Sequence, residues 1–506
     1  MASPSGVLSP LDTHNRVLLA NVHPDDWVNP TPAGRYHLVV VGAGTAGLIA
    51  ASFAAGAGAR VALVERELMG GDCLNVGCVP SKSILRSSRF FAEQRAAAAL
   101  GWTASRATPD FASVMERMRR IRARISPHDS AARYRDEKGI DVFLGEGTFT
   151  GETTLEVAGE TLRFRRAVVA SGARAARLPI PGLEDAGYLT NATVFNLTEC
   201  PDRLAVIGGG PIGAELAQAF QRLGAQVTLL EMSPRLLPRE DPDAAAIVQA
   251  ELERDGVRLV LGATIQRVEL DGDERRVFLA TDRGDEIVSV NRILVAAGRR
   301  PNTEGLGLET AGVNHDQRGI TVDDTLQTSN SRIYAAGDVC MAWQFTHAAE
   351  DAARIAVQNA LFPGRRRLST LTMPWCTYTD PEVAHVGLSA QQAETQGVRV
   401  TTYTQPWQTV DRALTDGEDE GFVRIHTRHG TDEILGATIV ARHAGEMISE
   451  VTLAMVAKLG LSTLSGVIHP YPTQSDAIRR TAFQYSVGRV TPLVKQLLGL
   501  WFRLTQ

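Results

Sequence analysis

The sequence predicts an α/β chain, with two parallel-sheet units and a separate α+β segment toward the C-terminal end, on three observations. A glycine-rich turn, Gly42-Ala43-Gly44-Thr45-Ala46-Gly47, stands between an apolar run suited to a buried strand and an Ala-rich stretch suited to a helix. The pattern recurs at Gly208-Gly209-Gly210-Pro211-Ile212-Gly213, and in both copies an acid follows the first glycine by 23 positions, 42 to 65 and 208 to 231. From Met373 to about Gln484 the chain changes to alternating strand patterns and then helical ones, with no further glycine turn of this kind.

Size and composition agree with that division. A chain of 506 residues is long enough for about three domains with sizeable cores. A net charge of -5 and a pI near 6.2 argue against a nucleic-acid-binding surface. Five cysteines (Cys73, Cys78, Cys200, Cys340, Cys376) are too few for a secreted disulfide framework of this size. Met1 to Pro30 is interrupted by Asp25, Asp26, Trp27 and prolines and holds no apolar core of signal-peptide length. No run approaches the ~20 apolar residues of a membrane span. The expected location is therefore cytoplasmic.

In chain order, residues 1–34 are polar and proline-rich and read as an irregular arm. Tyr36–Val41 is the first strand, and Arg60–Val64 is the second, ending at Glu65. Three glycines permit a tight turn and the close approach of a pyrophosphate, the helix N-terminus attracts its charge, and Glu65 is placed to bind a ribose hydroxyl. Ser83 to about Arg135 has helical periodicity, with Arg119, Arg120, Arg122 and Arg124 read as a solvated basic face. Ile140 to Ala170 suggests a small antiparallel sheet.

Leu204–Ile207 and Gln226–Leu230 repeat the strand pair around the second turn, ending at Glu231. Two dinucleotide sites in one chain imply two nucleotides and electron transfer between them. Beyond them, Asn291–Val295 runs into Ala296-Ala297-Gly298-Arg299-Arg300-Pro301-Asn302. Arg332–Ala336 leads to Gly337-Asp338, placing Asp338 at the carboxyl end of a sheet, where ligands sit in open α/β folds; capping the next helix is its alternative role.

The chemistry concentrates in Gly70-Gly71-Asp72-Cys73-Leu74-Asn75-Val76-Gly77-Cys78-Val79-Pro80-Ser81-Lys82. Two cysteines five positions apart, beside a glycine pair and just past the first nucleotide motif, read as a redox pair. On one ideal helix five residues turn the chain by roughly 500°, leaving the side chains about 140° apart, so a bridge must distort the first turn. A strained, partly exposed disulfide is the readily reduced kind. Two unlinked core cysteines are the alternative.

From Tyr36 to about Arg480 these motifs, in this order, resemble the pyridine nucleotide-disulfide oxidoreductases, which include dihydrolipoamide dehydrogenases, glutathione reductases and mercuric reductases. The resemblance implies a glutathione-reductase-like architecture. An FAD domain would occupy residues 35–180 and 298–370, an NAD(P) domain 181–297 and a dimerisation domain 371–485; past the resemblance, residues 486–506 read as an amphipathic helix. It implies FAD on Gly42, Gly44, Gly47, Glu65, Gly71, Lys82, Gly172, Asp338 and His347, and NAD(P) on Gly208, Gly210, Gly213, Glu231 and Gly298.

Electrons would pass from NAD(P)H by way of FAD to Cys73 and Cys78. Cys78 would be the thiolate nearer the flavin and Cys73 the thiol that meets the substrate. Lys82 would sit near the flavin ring with Glu215 as its ion-pair partner, and the helix near His347 would direct its positive end at the reduced flavin. Glu231 accepts bonds from a free 2′-hydroxyl but repels a 2′-phosphate, which favours NADH, although Arg235 leaves NADPH open.

The sequence departs from the disulfide reductases at Ile468-His469-Pro470-Tyr471-Pro472-Thr473-Gln474-Ser475-Asp476. Tyr471 takes the place of the family's catalytic histidine, and Asp476 that of its acid. A phenol, with an ordinary pKa of ~10, is a poor base at neutral pH beside an imidazole at ~6.5. His469 would substitute if the segment is extended, since alternate residues share a face; otherwise it is structural.

Tyrosine at this position resembles the mercuric reductases, as does Thr379-Asp380-Pro381-Glu382-Val383-Ala384. Reduced Cys73 and Cys78 suit a soft metal ion held transiently as substrate. Their C-terminal cysteine pair has no counterpart in Leu500–Gln506, so Cys340 and Cys376 are further ligands only if the fold brings them near.

The expected activity is reduction of Hg(II) or another electrophilic acceptor. The alternatives are a dihydrolipoamide-dehydrogenase-like disulfide reductase and a flavoprotein that senses redox state or metal without turnover. A homodimer is expected through residues ~373–485. Thr491–Leu504, apolar with two basic residues, is expected to pack on the protein or a partner subunit, or to lie on a membrane surface.

Overall fold

The computed structural model describes residues 8–103 and 108–505. They divide into two compact units, one running to Met232 and resuming at Val257–Leu371, the other made of Ser233–Gly256 and the chain from Thr372.

Of the irregular arm expected over residues 1–34, residues 1–7 lie outside the described residues, and the described part holds a helix, α1 (Thr13–Val22). Its prolines, Pro10 and Pro24, lie outside the helix and so break no intrahelical bond. Asp12 caps it by accepting the Asn15 N–H at 2.9 Å, and Leu18 and Val22 are buried.

The strand β1 (Arg35–Val41), helix α2 (Thr45–Gly56) and strand β2 (Val61–Glu65) build the first glycine-rich turn. Leu38, Val39, Val40, Ala62 and Leu63 are fully buried, as expected of strands covered on both faces. Helices α3 (Gly71–Asn75), α4 (Cys78–Ala96) and α5 (Phe111–Ile125) follow.

The expected solvated face of α5 is half wrong. Arg119 and Arg122 are buried: Arg119 Nε donates to Asp12 at 2.6 Å, and Arg122 donates to the Asn75 carbonyl at 2.6 Å and to Asn15 Oδ1 at 2.9 Å. The helix packs against α1, whose carboxylate and amide satisfy guanidinium groups that water would otherwise solvate.

The main sheet runs β3-β2-β1-β6-β5-β4, with β3 (Asp141–Leu144), β4 (Gly147–Gly151), β5 (Thr154–Val157) and β6 (Glu160–Val169). Strands β3, β2, β1 and β6 are parallel neighbours, and β4 and β5 extend the same sheet as an antiparallel meander. The strand Ile333–Ala335 adds to β6 in parallel, so the chain returns to this sheet after the second nucleotide unit.

That second unit is a parallel sheet, Arg258–Leu261, Gln226–Glu231, Arg203–Ile207 and Arg292–Val295, with a three-stranded antiparallel sheet over residues 264–290.

The C-terminal unit carries a five-stranded antiparallel sheet over residues 374–441, backed by the helices Ala444–Val456 and Asp476–Gly488. The segment 233–256 is tied to this unit. Trp375 Nε1 donates to Glu240 at 2.7 Å, Thr438 donates to Asp241 at 3.1 Å and Arg424 pairs with Asp243 at 2.5 Å. No helix among the described residues is long and apolar enough to cross a membrane.

Candidate functional site

Cys73 lies in α3, and Cys78 is the first residue of α4. The chain breaks between them at Val76 and Gly77, so the pair does not share one helix, as the angular argument had assumed. A Cβ on Gly77 would meet the Asp72 carbonyl oxygen at 2.8 Å, which explains the glycine at this break. The backbone of the break is braced from below by Arg122 on the Asn75 carbonyl, while Asn75 Nδ2 donates to the Gly71 and Met69 carbonyls at 2.9 and 3.0 Å.

The two thiols are unbridged and hydrogen-bonded to each other, and their surroundings divide them. Cys78 is drawn down to about 6, first by the Cys73 thiol, with further contributions from the Thr346 hydroxyl and the Lys82 ammonium that outweigh burial. Cys73 is pushed strongly upward, first by the bond to Cys78, then by burial and the nearby Asp129 carboxylate.

Thr346 Oγ1 stands 3.3 Å from Cys78 Sγ and opens the helix Thr346–Leu361, so two helix N-termini meet at this sulfur. Such termini favour a thiolate. Sequence reasoning placed His347 at this helix start and missed Thr346 and Asp129. Only the tertiary contact reveals them, since neither forms a local motif with the cysteines.

Lys82 Nζ is 2.8 Å from Glu215 Oε2, linking α4 to the helix Pro211–Arg222 that follows the second turn. Glu215 is buried and Lys82 is only part-exposed, so each charge limits the desolvation cost of the other.

The first turn is shaped by its glycines. Gly42 has φ +101° and a Cβ there would strike the Ala170 carbonyl; a Cβ on Gly47 would strike that of Gly42. Glu65 is buried and accepts the Ala43 N–H at 2.6 Å and the Glu67 N–H at 2.7 Å. Burial pushes its carboxyl upward, and the two N–H groups oppose this.

Asp338 stands in the turn just beyond the return strand, next to Gly337. Burial raises its carboxyl, and Arg299, 3.3 Å away through Nε, opposes this; the same guanidinium also pairs with Asp72 and donates to the Ala173 carbonyl at 2.8 Å. Gly172 has open space where a Cβ would stand.

These residues fit the FAD that the resemblance implies. No acid occupies the first turn of α2, so its N–H groups remain donors for a pyrophosphate, while Gly42 lets the turn close on Ala170 and Gly71 lets the redox segment close on Gly44, where a Cβ would collide. At the second turn, Glu231 accepts the Gly209 N–H at 2.5 Å, a Cβ on Gly210 would meet nothing within 4 Å, and Gly298 adopts φ +84°. Arg235 spends two donors on the Glu240 and Pro238 carbonyls, each at 2.8 Å.

In the C-terminal unit, the Tyr471 hydroxyl donates to Asp411 at 2.9 Å, and that carboxylate pushes the phenol above its ordinary range. Asp476 is gripped by Arg479 at 2.8 Å and Arg480 at 2.6 Å. Burial would raise its carboxyl, but the two guanidinium groups hold it low. His469 is engaged at both nitrogens, with Glu450 at 3.0 Å and the Val467 carbonyl at 3.2 Å.

Cys340 packs against the core of the main sheet with its thiol on the Gly337 carbonyl at 3.6 Å, and the Cys376 thiol lies 3.6 Å from the Thr377 carbonyl. Among the described residues no group of three His, Cys, Asp or Glu side chains is arranged to hold a metal ion.

A profile of the pyridine nucleotide-disulphide oxidoreductases matches residues 36–353, and one of that family's dimerisation domain matches residues 373–482. The chain is 36% identical over 453 residues to a mercuric reductase of Staphylococcus aureus, covering 89% of this chain and 83% of that protein. It is 32% identical over 466 residues to a dihydrolipoyl dehydrogenase of Bacillus subtilis, covering 89% of this chain and 98% of that protein.

Among solved structures it resembles RclA, the HOCl-induced flavoprotein disulfide reductase of Escherichia coli. The TM-score is 0.79 at 29% identity, over 88% of this chain and 99% of that one. RclA is also solved as a Cu(II) complex, similar to this chain at the same TM-score and identity over 89% of this chain and 100% of that one. With both domain profiles matched in order and relatives above 30% identity over most of its length, the chain belongs to the pyridine nucleotide-disulphide oxidoreductases, FAD-dependent enzymes that couple a pyridine nucleotide to a disulfide redox centre.

Proposed function

We propose that this protein oxidises NADH and delivers the two electrons to a soft metal ion held between Cys73 and Cys78, with Hg(II) as the type substrate. The observation that carries the reading is the Tyr471 phenol on Asp411, where a disulfide reductase would hold its imidazole base. A raised phenol does not accept the proton that dithiol exchange must shed at neutral pH. Metal reduction has no such need: Hg(II) and NADH give Hg(0), NAD⁺ and one proton.

The chain's own residues do the rest. Cys78, ionised near pH 7, offers a thiolate ligand, and Cys73 supplies the second when the binding metal ion displaces its proton to water, with no protein base required. The Lys82 ammonium favours the Cys78 thiolate, and Glu215 keeps Lys82 in place. FAD, when bound over residues 35–180 and 298–370, supplies the two-electron relay between coenzyme and cysteines.

Glu231, with Arg235 occupied by backbone carbonyls, favours a free 2′-hydroxyl and hence NADH. The holoenzyme is a homodimer through the 371–485 region and works in the cytoplasm, where its cysteines stay reducible.

The test is anaerobic NADH oxidation with Hg(II) and excess thiol, with Cu(II) and with lipoamide, beside a Cys73→Ala control. Cys73-dependent turnover with a metal, and at least tenfold less with lipoamide, is expected. Tyr471→His should raise lipoamide turnover. Faster turnover with lipoamide than with either metal in the unaltered protein sinks the proposal.

A further inference from the structure

The helix Pro492–Leu504 lies beyond the matched dimerisation domain, which ends at residue 482, and none of its residues is buried. Leu493, Leu497, Leu500, Trp501, Phe502 and Leu504 are each between 55% and 76% exposed. Such an array of bare apolar side chains on one element is not the scatter of single exposed residues normal on protein surfaces.

The helix does not depend on docking to start. Thr491 Oγ1 accepts the Val494 N–H at 3.3 Å, and Pro492 occupies the first turn.

The distribution of side chains selects the occupant. At about 100° per residue the apolar positions cover an arc of about 200°, and Lys495, Gln496, Gly499 and Arg503 share the remaining stripe. A partner groove reads a stripe about half that wide, whereas an interface between water and lipid accepts the broad face with the cations held above it.

Charge points the same way. Arg489 to Thr505 carries Arg489, Lys495 and Arg503 and no acidic side chain, in a chain whose net charge is -5. Thirteen helical residues extend about 20 Å, short of a hydrocarbon core of about 30 Å, so the helix lies on the bilayer and does not cross it. Trp501 adds the ring that favours the headgroup level.

We propose that the helix Pro492–Leu504 docks the protein in the plane of an anionic lipid surface. Dimerisation would present two such helices, so that the second binds as an intramolecular event. The flavoprotein would then work as a peripheral enzyme on the negatively charged leaflet.

The test is co-sedimentation of the holoenzyme with vesicles of phosphatidylcholine alone or mixed with phosphatidylglycerol. Three proteins are compared: the full chain, a chain ending at Val490, and the Lys495→Glu/Arg503→Glu double variant. NADH-dependent turnover and the dimeric state are followed throughout.

The full chain should bind the mixed vesicles at least tenfold more tightly than the neutral ones, and less so as salt rises. The truncated chain should stay active and dimeric in solution, and the double variant should lose at least tenfold in affinity. Failure of the active full chain to bind mixed vesicles overturns the proposal, as does unchanged binding after truncation. Conversion of the dimer to monomer on truncation also overturns it, for the helix then belongs to the interface between copies.

Discussion

In the turn Gly42–Gly47 the following helix starts under cover: Ala46 is buried, and a Cβ on Gly44 would meet Gly71 Cα of the redox segment at 3.6 Å. In the turn Gly208–Gly213 the corresponding helix starts in the open, with Pro211 and Ile212 exposed and nothing within 4 Å of a Cβ on Gly210. Their acids differ likewise, Glu65 being buried on two backbone N–H groups and Glu231 half-buried on the Gly209 N–H. One motif thus stands in two settings: a covered turn would suit a cofactor that stays, and an open one a coenzyme that must arrive and leave each cycle.

The largest expected effect separates the two turns. Gly42→Val puts a branched side chain at φ +101° against the Ala170 carbonyl and should yield protein without flavin absorbance or activity. Gly208→Val, at φ +112° against Ala296, should keep the flavin absorbance and lose at least a hundredfold in kcat/KM for NADH. Loss of flavin from both variants would break the contrast.

A smaller effect sharpens the contrast by asking what backbone donors do for a buried acid. Glu240 has Trp375 on one oxygen, while its second oxygen is buried without a hydrogen-bond partner, and burial pushes its pKa up to about 7. The folded state therefore holds a proton that the unfolded chain releases near its ordinary ~4.3. Stability is full below that value and is lost as pH rises through 7, by up to about 3 kcal/mol. Glu240→Gln should flatten this slope and raise the urea midpoint at pH 8, while Glu65→Gln, which turns one of the two oxygens that accept backbone N–H groups into a donor, should lower it. Equal responses would show that the donors around Glu65 do not matter.

The smallest effect lies where the two turns are joined. Thr346→Val removes the hydroxyl beside Cys78, and Lys82→Met removes the cation. Each should raise the Cys78 pKa from about 6 and slow its alkylation by iodoacetamide at pH 6.5, an assay point chosen near that pKa, by about twofold to tenfold, Thr346→Val more than Lys82→Met. Unchanged rates would mean that the Cys73 thiol alone sustains the thiolate.

Local pattern determined much of this protein. Each strand-turn-helix repeat, the acid 23 residues on and the cysteine segment needs only neighbours in sequence, because glycine freedom, continuous apolar strand runs and helix starts are short-range properties. The α/β class and the family followed from them.

Tertiary structure alone decided which polar groups meet. Arg119 and Arg122 read as a solvated face until α1 supplied Asp12 and Asn15 from more than a hundred residues away. The same arm looked irregular because its flanking prolines dominate its composition, although they stand outside the helix. Cys73 and Cys78 proved to be divided between two helices, and the group 3.3 Å from Cys78 is a hydroxyl 268 positions later. A charge or a thiol takes its energy from whatever the fold brings near and from the water it removes, and neither is written in the neighbouring letters.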